Sequence, residues 1–485
     1  MRRSRPASLL AFAALGLLAA ALRTLQFHRA LIYPDGYQYL LMARGIAEHG
    51  RPITRLGSGG DVFVPNPDAA LKPLFPLLVA TLHLGGLSLR ASGEVVTVLA
   101  EAAAVVLAGA LAWRVTRSAL AAVVASALCL ASPGLAYWSG FAGPDSLASA
   151  LALAAALALV SRRYATGGVL AGLCVAARPE YALLGVVAGA VALSRRDSRA
   201  PAVPAIAASA GAVGAVLLLT RPPLVHPSSR LLIEAAAAAM LIAILVGGAL
   251  RQPRLFVPTG VLAAVAALGL GAAAWRVSAA SPPLLETDWP LLAIGVAGLL
   301  LALLVPSLRA QACCLAAGAA LLVSAYYAKN PELPRYAAQL LPLLALGSAF
   351  GTAAILRSQR SVVASAVVPA AAVAALILTP QPRPGPDPFA AIAGQLDHHT
   401  TRPLLTAAPD AYGLLLAPRP VASLAAGRRG LALLDAAQRT YEPKLGARGA
   451  EVARLTSTGF LLRAGAPVDR RPALLISGRV VTSSR

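Results

Sequence analysis

Apolar stretches long enough to cross a bilayer recur along this chain, separated by short loops in which the arginines collect. Candidate windows cover residues 7–27, 91–113, 118–138, 145–161, 166–178, 180–194, 201–219, 231–250, 255–275, 290–306, 310–328, 335–356 and 361–378. A helical crossing takes roughly 20 residues, so the windows predict about thirteen transmembrane helices, the fifth and sixth of them short. Hydrocarbon offers the backbone no water, and a helix satisfies its amides within its own segment. Of the 485 residues 58% are hydrophobic and only 13% charged, with a mean hydropathy of +0.71. That balance is far from a soluble domain and fits an all-α polytopic membrane protein. The net charge of +22 would suggest nucleic acid in a soluble chain. Here no basic tract interleaves with aromatics, and the loops give the charge a plainer source.

With the N-terminus inside, one set of loops holds Arg2, Arg3, Arg5, Arg114, Arg117, Arg162, Arg163, Arg195, Arg196, Arg199, Arg251, Arg254, Arg309, Arg357 and Arg360. The opposite loops hold only Arg178, Arg221, Arg230, Arg276, Lys329 and Arg335. This asymmetry follows the positive-inside rule along the whole chain and sets a multi-pass arrangement with a cytoplasmic N-terminus. Met1 to Arg5 ahead of an apolar run resembles a secretory signal, but the run is long and lacks a small-residue cleavage site, so a retained first span is expected. Counting 71–89 as a span would reverse every later loop. That stretch is therefore read as an amphipathic element on the outer surface. It belongs to a long first outer loop, residues 28–90, in which Gly57-Ser58-Gly59-Gly60 and Pro65-Asn66-Pro67 act as flexible and turn-forming elements.

An odd number of spans puts the C-terminus outside. The Pro-rich run Thr379 to Pro386 separates a membrane part, residues 1–379, from a tail of about 100 residues, the size of one small domain. Short apolar runs at Leu414-Leu415-Leu416 and Ala473-Leu474-Leu475-Ile476 suggest a small extracytoplasmic α/β unit. Cys129, Cys174, Cys313 and Cys314 all fall in apolar segments and read as packed small residues, neither a disulfide framework nor a metal set.

The unusual polar residues gather on the outer side of this arrangement. Asp35 lies in an acidic loop, Tyr33-Pro34-Asp35-Gly36-Tyr37-Gln38-Tyr39, directly behind the first span. A carboxylate at the membrane boundary is costly unless it has work to do, and the aromatic rings suit that depth. Lys72, Asp145, Arg178, Glu180, Lys329, Glu332 and Arg335 map to the same face. Singly, each has a bland reading. Asp145 in Gly143-Pro144-Asp145-Ser146 fits a helix N-cap, and Arg178-Pro179-Glu180 fits a turn with a local ion pair worth little. Together they place carboxylates and cations around one face, where arginine forks and a lysine point charge suit a phosphate at headgroup level.

This pattern resembles the GT-C membrane glycosyltransferases that use a polyprenyl-phosphate-linked sugar. It is similar to the branch of lipid A aminoarabinose transferases and protein O-mannosyltransferases. Five features match in order: Asp35-Gly36-Tyr37 after the first span, Lys72-Pro73-Leu74-Phe75-Pro76, Asp145, Arg178-Pro179-Glu180, and Pro334-Arg335-Tyr336 with Leu340-Leu341-Pro342. The likeness covers most of residues 1–380. It departs at Gly36, where the family often has a second acid, and offers no counterpart to the metal ligands of some relatives, so no metal or other cofactor is carried over. Residues 200–310 match nothing in it.

The resemblance implies that an acceptor hydroxyl attacks the anomeric carbon while a lipid phosphate leaves, with inversion. A phosphodiester is already a weak base, so one carboxylate suffices, unlike the paired carboxylates of glycoside hydrolysis. Asp35 is expected as the general base, with Asp145 orienting the acceptor or sharing that role. Lys72, Arg178, Arg335 and Tyr336 would hold the donor phosphate. Tyr37, Tyr39 and Glu180 would contact substrate. The expected partners are a polyprenyl-phosphate sugar, a lipid, glycan or protein acceptor and the membrane itself. The dominance of Ala, Leu and Arg suggests a bacterial inner membrane. A ligase or polymerase of lipid-linked glycans is the enzymatic rival, and a transporter or flippase the non-enzymatic one. A transporter would show midplane charges and paired broken helices.

Overall fold

The computed structural model describes residues 5–27, 34–138, 141–181, 199–221, 283–329, 339–358, 362–379, 387–396, 401–424, 428–434, 445–455 and 473–482. Helix α1 (Arg5–Phe27) is followed by α2 (Pro34–His49), a hairpin of β1 (Thr54–Arg55) and β2 (Val62–Phe63), α3 (Pro67–Ala70) and α4 (Leu74–Leu84). The bundle continues with α5 (Leu89–Thr116), α6 (Ala119–Ala131), α7 (Pro133–Trp138), α8 (Pro144–Val160), α9 (Tyr164–Ala177) and a 3₁₀ turn at Pro179–Tyr181. Then come α10 (Arg199–Thr220), α11 (Pro283–Leu304), α12 (Pro306–Lys329), α13 (Leu341–Arg357) and α14 (Val362–Leu378). The expected windows coincide with these helices except 180–194, 231–250 and 255–275, which lie almost entirely outside the described residues. Among the described residues, α5 alone is long and apolar enough to cross a membrane by itself. Helices α6, α8, α9 and α13 run 13, 17, 14 and 17 residues, so among the described residues helix length does not confirm a count of about thirteen crossings.

Two expectations are corrected locally. The acidic stretch behind the first span is the opening of α2: Pro34 has the fixed φ of a first helical position, and Asp35 in the first turn suits the positive end of the helix. The window 118–138 is broken at Ser132, where α6 ends and Pro133 opens α7. The break is satisfied by one buried carboxylate. Asp288 accepts from Ser132 Oγ at 2.6 Å and from the Gly134 amide at 2.8 Å. Asp288 itself leaves helical geometry two residues before Pro290, so two irregular helices are pinned to each other.

Small residues let the bundle close. A Cβ on Gly298 would stand 2.2 Å from the Gly347 carbonyl, and one on Gly347 would stand 2.6 Å from the Gly295 carbonyl. Helices α11 and α13 therefore touch backbone to backbone, the packing that works between helices when lipid removes the hydrophobic drive. Helix α4, with 11 residues, is too short to span; its Phe75, Val79 and Ala80 are buried against α2 and α5.

The C-terminal unit contains α15 (Pro388–Ala393), β3 (Leu404–Thr406), α16 (Pro409–Leu415), β4 (Val421–Ser423), β5 (Arg429–Leu434), β6 (Leu445–Leu455) and β7 (Ala473–Thr482). Its sheet has the order β4-β3-β5-β7-β6, with β4, β3 and β5 parallel and β7 antiparallel to both neighbours. Leu404 pairs with Val421 and Leu431, and Leu433 with Leu475. An α/β unit is what the short apolar runs predict. One apolar cluster joins it to the segment between α1 and α5, with Tyr37, Leu41, Phe63 and Phe75 packed together with Phe389, Tyr412, Val421 and Leu433.

The turn between β1 and β2 also grips this unit through its main chain. Ser58 N donates to Pro418 O at 2.8 Å, Asp61 N to Val421 O at 3.0 Å, and Val421 N to Leu56 O at 3.0 Å. Gly57 sits at φ +73° and a Cβ there would lie 1.9 Å from Arg419 O. Gly60 would place a Cβ 1.7 Å from Leu56 O. Two of the glycines expected to supply flexibility, Gly57 and Gly60, instead permit a close approach of two backbones.

Candidate functional site

Of the charged candidates, Asp145, Arg178 and Glu180 meet where α8 begins and α9 ends. Asp145 stands in the first turn of α8, but the N-cap residue is Gly143, and the carboxylate points elsewhere. Its Oδ1 lies 2.5 Å from Arg178 Nη2 and accepts from Gln339 Nε2 at 2.5 Å. Arg178 Nη1 also lies 3.8 Å from Glu180 Oε1. Arg178 is 0% exposed and the Asp145 side chain 22% exposed, so this is no surface turn. Buried pairs of this kind survive only with good geometry and several partners. Both bland readings, the N-cap and the weak local pair, give way to a network joining α8, α9, the 3₁₀ turn and Gln339, two residues before α13.

An apolar floor explains why these elements converge. Leu74 of α4, Ala148 of α8, Cys174 and Ala177 of α9, and Tyr181 form one cluster, with Leu340 and Leu343 packed against it. Lys72, two residues before Leu74, is buried at the same end of α4. Tyr181 of this cluster shares a hydrogen bond of 3.2 Å with Ser149. Deeper in the bundle Arg23 of α1 and Glu101 of α5 form a buried pair at 3.8 Å. Arg23 donates to Leu130 O at 3.2 Å, and Ser146, next to Asp145, hydrogen-bonds Glu101. The first turn of α8 is thus held from below by a second ionic network.

Helix α2 brings the remaining candidates. Asp35 and Tyr39 are four residues apart and share one helix face. Tyr39 is buried edge-on to Phe75, with ring centroids 5.9 Å apart. A Cβ on Gly143 would meet Asp145 Oδ2 at 3.5 Å and Tyr39 Cε2 at 4.0 Å, so the Asp35 face of α2 borders the Asp145 network. Tyr37 turns the other way. It is fully buried, its hydroxyl donates to Asp387 Oδ2, and its ring lies edge-on to Phe389 at 5.7 Å. Burial, then the Asp387 charge, push the Tyr37 hydroxyl well above the usual phenol range. Arg335, Tyr336 and Glu332 lie outside the described residues, as does the side chain of Lys329.

No protein-family model and no curated protein sequence matches this chain; the likeness lies in structure. ArnT from Cupriavidus metallidurans, solved with undecaprenyl phosphate bound, superposes with a TM-score of 0.54 at 13% identity, covering 96% of this chain and 97% of that one. The Archaeoglobus fulgidus oligosaccharyltransferase in complex with Zn and sulfate gives 0.54 at 14% identity over 85% of this chain. The same enzyme tethered to an acceptor peptide gives 0.51 at 14% identity over 87%. The chain spans 62% of the first oligosaccharyltransferase chain and 64% of the second. The fold is GT-C.

Within this GT-C bundle, four residues of the site have no reading from the sequence. Gln339, Asp387, Asp410 and Glu101 join it only through partners far along the chain: Gln339 is 194 residues from Asp145, and Tyr37 is 350 residues from Asp387. Asp387 carried one usable signal, an Asp-Pro pair opening a helix, and it does cap α15, accepting from Phe389 N at 3.0 Å. Among the described residues no three or more His, Cys, Asp or Glu side chains stand close enough to share a metal ion.

Proposed function

We propose that the protein is an integral membrane glycosyltransferase that moves a sugar from a polyprenyl-phosphate carrier to an acceptor hydroxyl on the outer face of the membrane. The observation that carries this reading is the buried Asp145–Arg178–Glu180–Gln339 network at one end of a GT-C bundle, with Lys72 buried two residues before Leu74 of the adjoining apolar cluster. Cations held in place without water are suited to a phosphate whose charge grows as it leaves. The N-terminus then lies in the cytoplasm, and the C-terminal unit caps the bundle outside it.

In this reading the acceptor oxygen attacks the anomeric carbon and the bond from that carbon to the phosphate oxygen breaks. The electron pair leaves on the lipid phosphate, and the acceptor proton passes to Asp35. One displacement inverts the anomeric centre. Arg178, Lys72 and Arg335 neutralise the departing phosphate, with Tyr336 as a further donor. Asp145 shares one oxygen between Arg178 and Gln339, a geometry that suits it to orienting Arg178. Glu180 and Tyr39 border the substrate space, and Tyr37 fixes α2 behind it. The oligosaccharyltransferase likeness equals that to ArnT in TM-score, so transfer of a lipid-linked glycan, as by a ligase, is the second reading.

The test is release of free polyprenyl phosphate from purified protein given a panel of undecaprenyl-phosphate sugars with membrane acceptors. Asp35→Asn should lower release by about 10²–10⁴-fold, the usual contribution of a general base, while the protein stays folded and inserted. Full activity in Asp35→Asn removes it from the base role. No release from any donor by the wild type favours the ligase or a transporter.

A further inference from the structure

The C-terminal unit meets α2 at Tyr37, and beyond that contact the two parts of the chain draw apart around a cavity. It holds about 270 Å³ between the last turns of α2, the β1–β2 hairpin and the Ala417–Pro418 bend. Arg44, in its wall, follows Tyr37 by about two helical turns and Asp35 by about two and a half. It therefore shares the face of Tyr37 and points away from Asp35. The cavity is a place apart from the Asp145 network and from the space proposed for transfer.

Cations outnumber acids around it. Arg44 and His49 come from α2, Arg55 from β1, and Glu48 is the one carboxylate among the lining residues. Glu48 is already committed. It takes Arg44 Nε at 2.7 Å and the buried Thr54 hydroxyl at 3.0 Å, with His49 Nε2 at 3.6 Å. Arg44 and His49 also stand near the C-terminal, negative end of α2, which offsets part of their charge. Arg55 has neither offset: it is exposed on a strand and forms no hydrogen bond or ion pair among the described residues. The Ser58 hydroxyl adds a donor from the hairpin turn, whose Ser58 amide is taken by Pro418 O at 2.8 Å.

Donors thus face one space from three elements. A phosphate monoester with three free oxygens accepts from several directions at once, whereas a carboxylate presents two oxygens in one plane. The volume lies just under the roughly 300–1,000 Å³ of ordinary small-molecule sites, more than a bare phosphate fills and too little for a lipid chain or a long glycan. We propose that this cavity binds a phosphate monoester carried on a single sugar, held chiefly by Arg55 with Arg44 and Ser58, and that the ligand ties the hairpin to the Pro418 bend.

The experiment is calorimetric titration of the full chain in detergent with glucose 1-phosphate, inorganic phosphate, glucose and glucuronate, wild type against Arg55→Ala, Arg55→Lys and Arg428→Ala. Glucose 1-phosphate should bind and glucose should not. Arg55→Ala should weaken binding by about ten-fold or more, the scale of one lost hydrogen bond to a charged group. Arg55→Lys keeps the charge without the fork and should recover part of the loss. Arg428→Ala, outside the cavity, should bind like the wild type. Glucose 1-phosphate should also slow hydrogen exchange in 54–58 and 417–421. No binding by the wild type, or equal binding by Arg55→Ala, overturns the proposal, and unchanged exchange overturns the tie between hairpin and bend. Glucuronate binding as tightly as glucose 1-phosphate overturns the phosphate assignment, and inorganic phosphate binding as tightly overturns the sugar. If Arg55→Ala fails to fold, Ser58→Ala carries the same titration, with a smaller loss expected and an unchanged affinity overturning. Every arm reads binding, so the fate of the proposed transfer and the fate of this site are separate results.

Discussion

Asp145 and Asp35 border the same space, yet their surroundings differ. Asp145 stands against Arg178 at 2.5 Å and takes an amide from Gln339, next to the apolar cluster of α4, α8 and α9. Asp35 lies in the first turn of α2, a helix held to the C-terminal unit through Tyr37 and Asp387. A cation at contact stabilises a carboxylate and makes it a poor proton acceptor. In the proposed function this difference separates two acids that look alike in sequence, with Asp145 holding a cation and Asp35 acting as the base.

The sharpest way to break the comparison is to remove the cation. Arg178→Ala leaves Asp145 and Glu180 facing each other in a buried site, and losing one partner of such a pair costs about 3–5 kcal/mol. Thermal unfolding in detergent should show a drop of that order with transfer lost. Arg178→Lys should recover much of the stability and little of the transfer, since a point charge replaces the planar fork. If Arg178→Ala unfolds like the wild type, the network carries no such tension and the contrast with Asp35 fails.

The next test acts on the other corner without touching a charge. Gly57→Ala adds a methyl at φ +73° that would lie 1.9 Å from Arg419 O. The left-handed conformation alone costs on the order of 1–3 kcal/mol, and the clash adds to it. Hydrogen exchange should then rise in the 56–61 segment and in β4 while α5 keeps its protection. Equal protection in both proteins means the clamp is not built on this close approach.

Proton uptake sharpens the same contrast with a smaller effect. Burial comes first among the causes that raise both Asp387 and Asp410 above the ordinary carboxylate range. A folded-state value above the unfolded one means that stability is fully present below the unfolded value. It is lost as pH rises through the folded one. Docking of the C-terminal unit should therefore be stronger near the acid end of the carboxylate range than at neutral pH. Unfolding midpoints across that range should fall with pH in the wild type relative to the Asp387→Asn/Asp410→Asn double variant. Parallel curves would show that these two groups do not set the dependence.

Hydropathy made the bundle readable because a membrane helix declares itself locally, through some twenty apolar residues and the arginines that flank them. The order of Asp35, Lys72, Asp145 and Arg178 was legible for the same reason, since each sits at a helix end. What stayed hidden depends on contacts across the fold. Tyr37 reads as an interfacial aromatic until Asp387, 350 residues away, takes its hydroxyl. The helix α2 reads as a loop because its glycine and polar residues lower local propensity, and only packing against α4 and α16 repays that. The break at Ser132 leaves no mark in hydropathy, because Asp288 that satisfies it lies beyond a long intervening stretch.

The smallest expected effect lies at the rim of the clamp. Arg428 Nη1 lies 3.1 Å from both Asp61 oxygens, but its side chain is 45% exposed. Such pairs contribute about 0–1 kcal/mol and are screened by salt. Asp61 keeps its hold on the Ser423 amide at 2.9 Å when the arginine is gone. Arg428→Ala should thus shift the unfolding midpoint by a degree or two at low salt and not measurably in concentrated salt. Asp61→Ala loses the acceptor for that amide as well and should cost more at any ionic strength. Equal losses from the two substitutions would place the weight of the clamp on the charge pair and away from the backbone, the reverse of what the glycine contacts indicate.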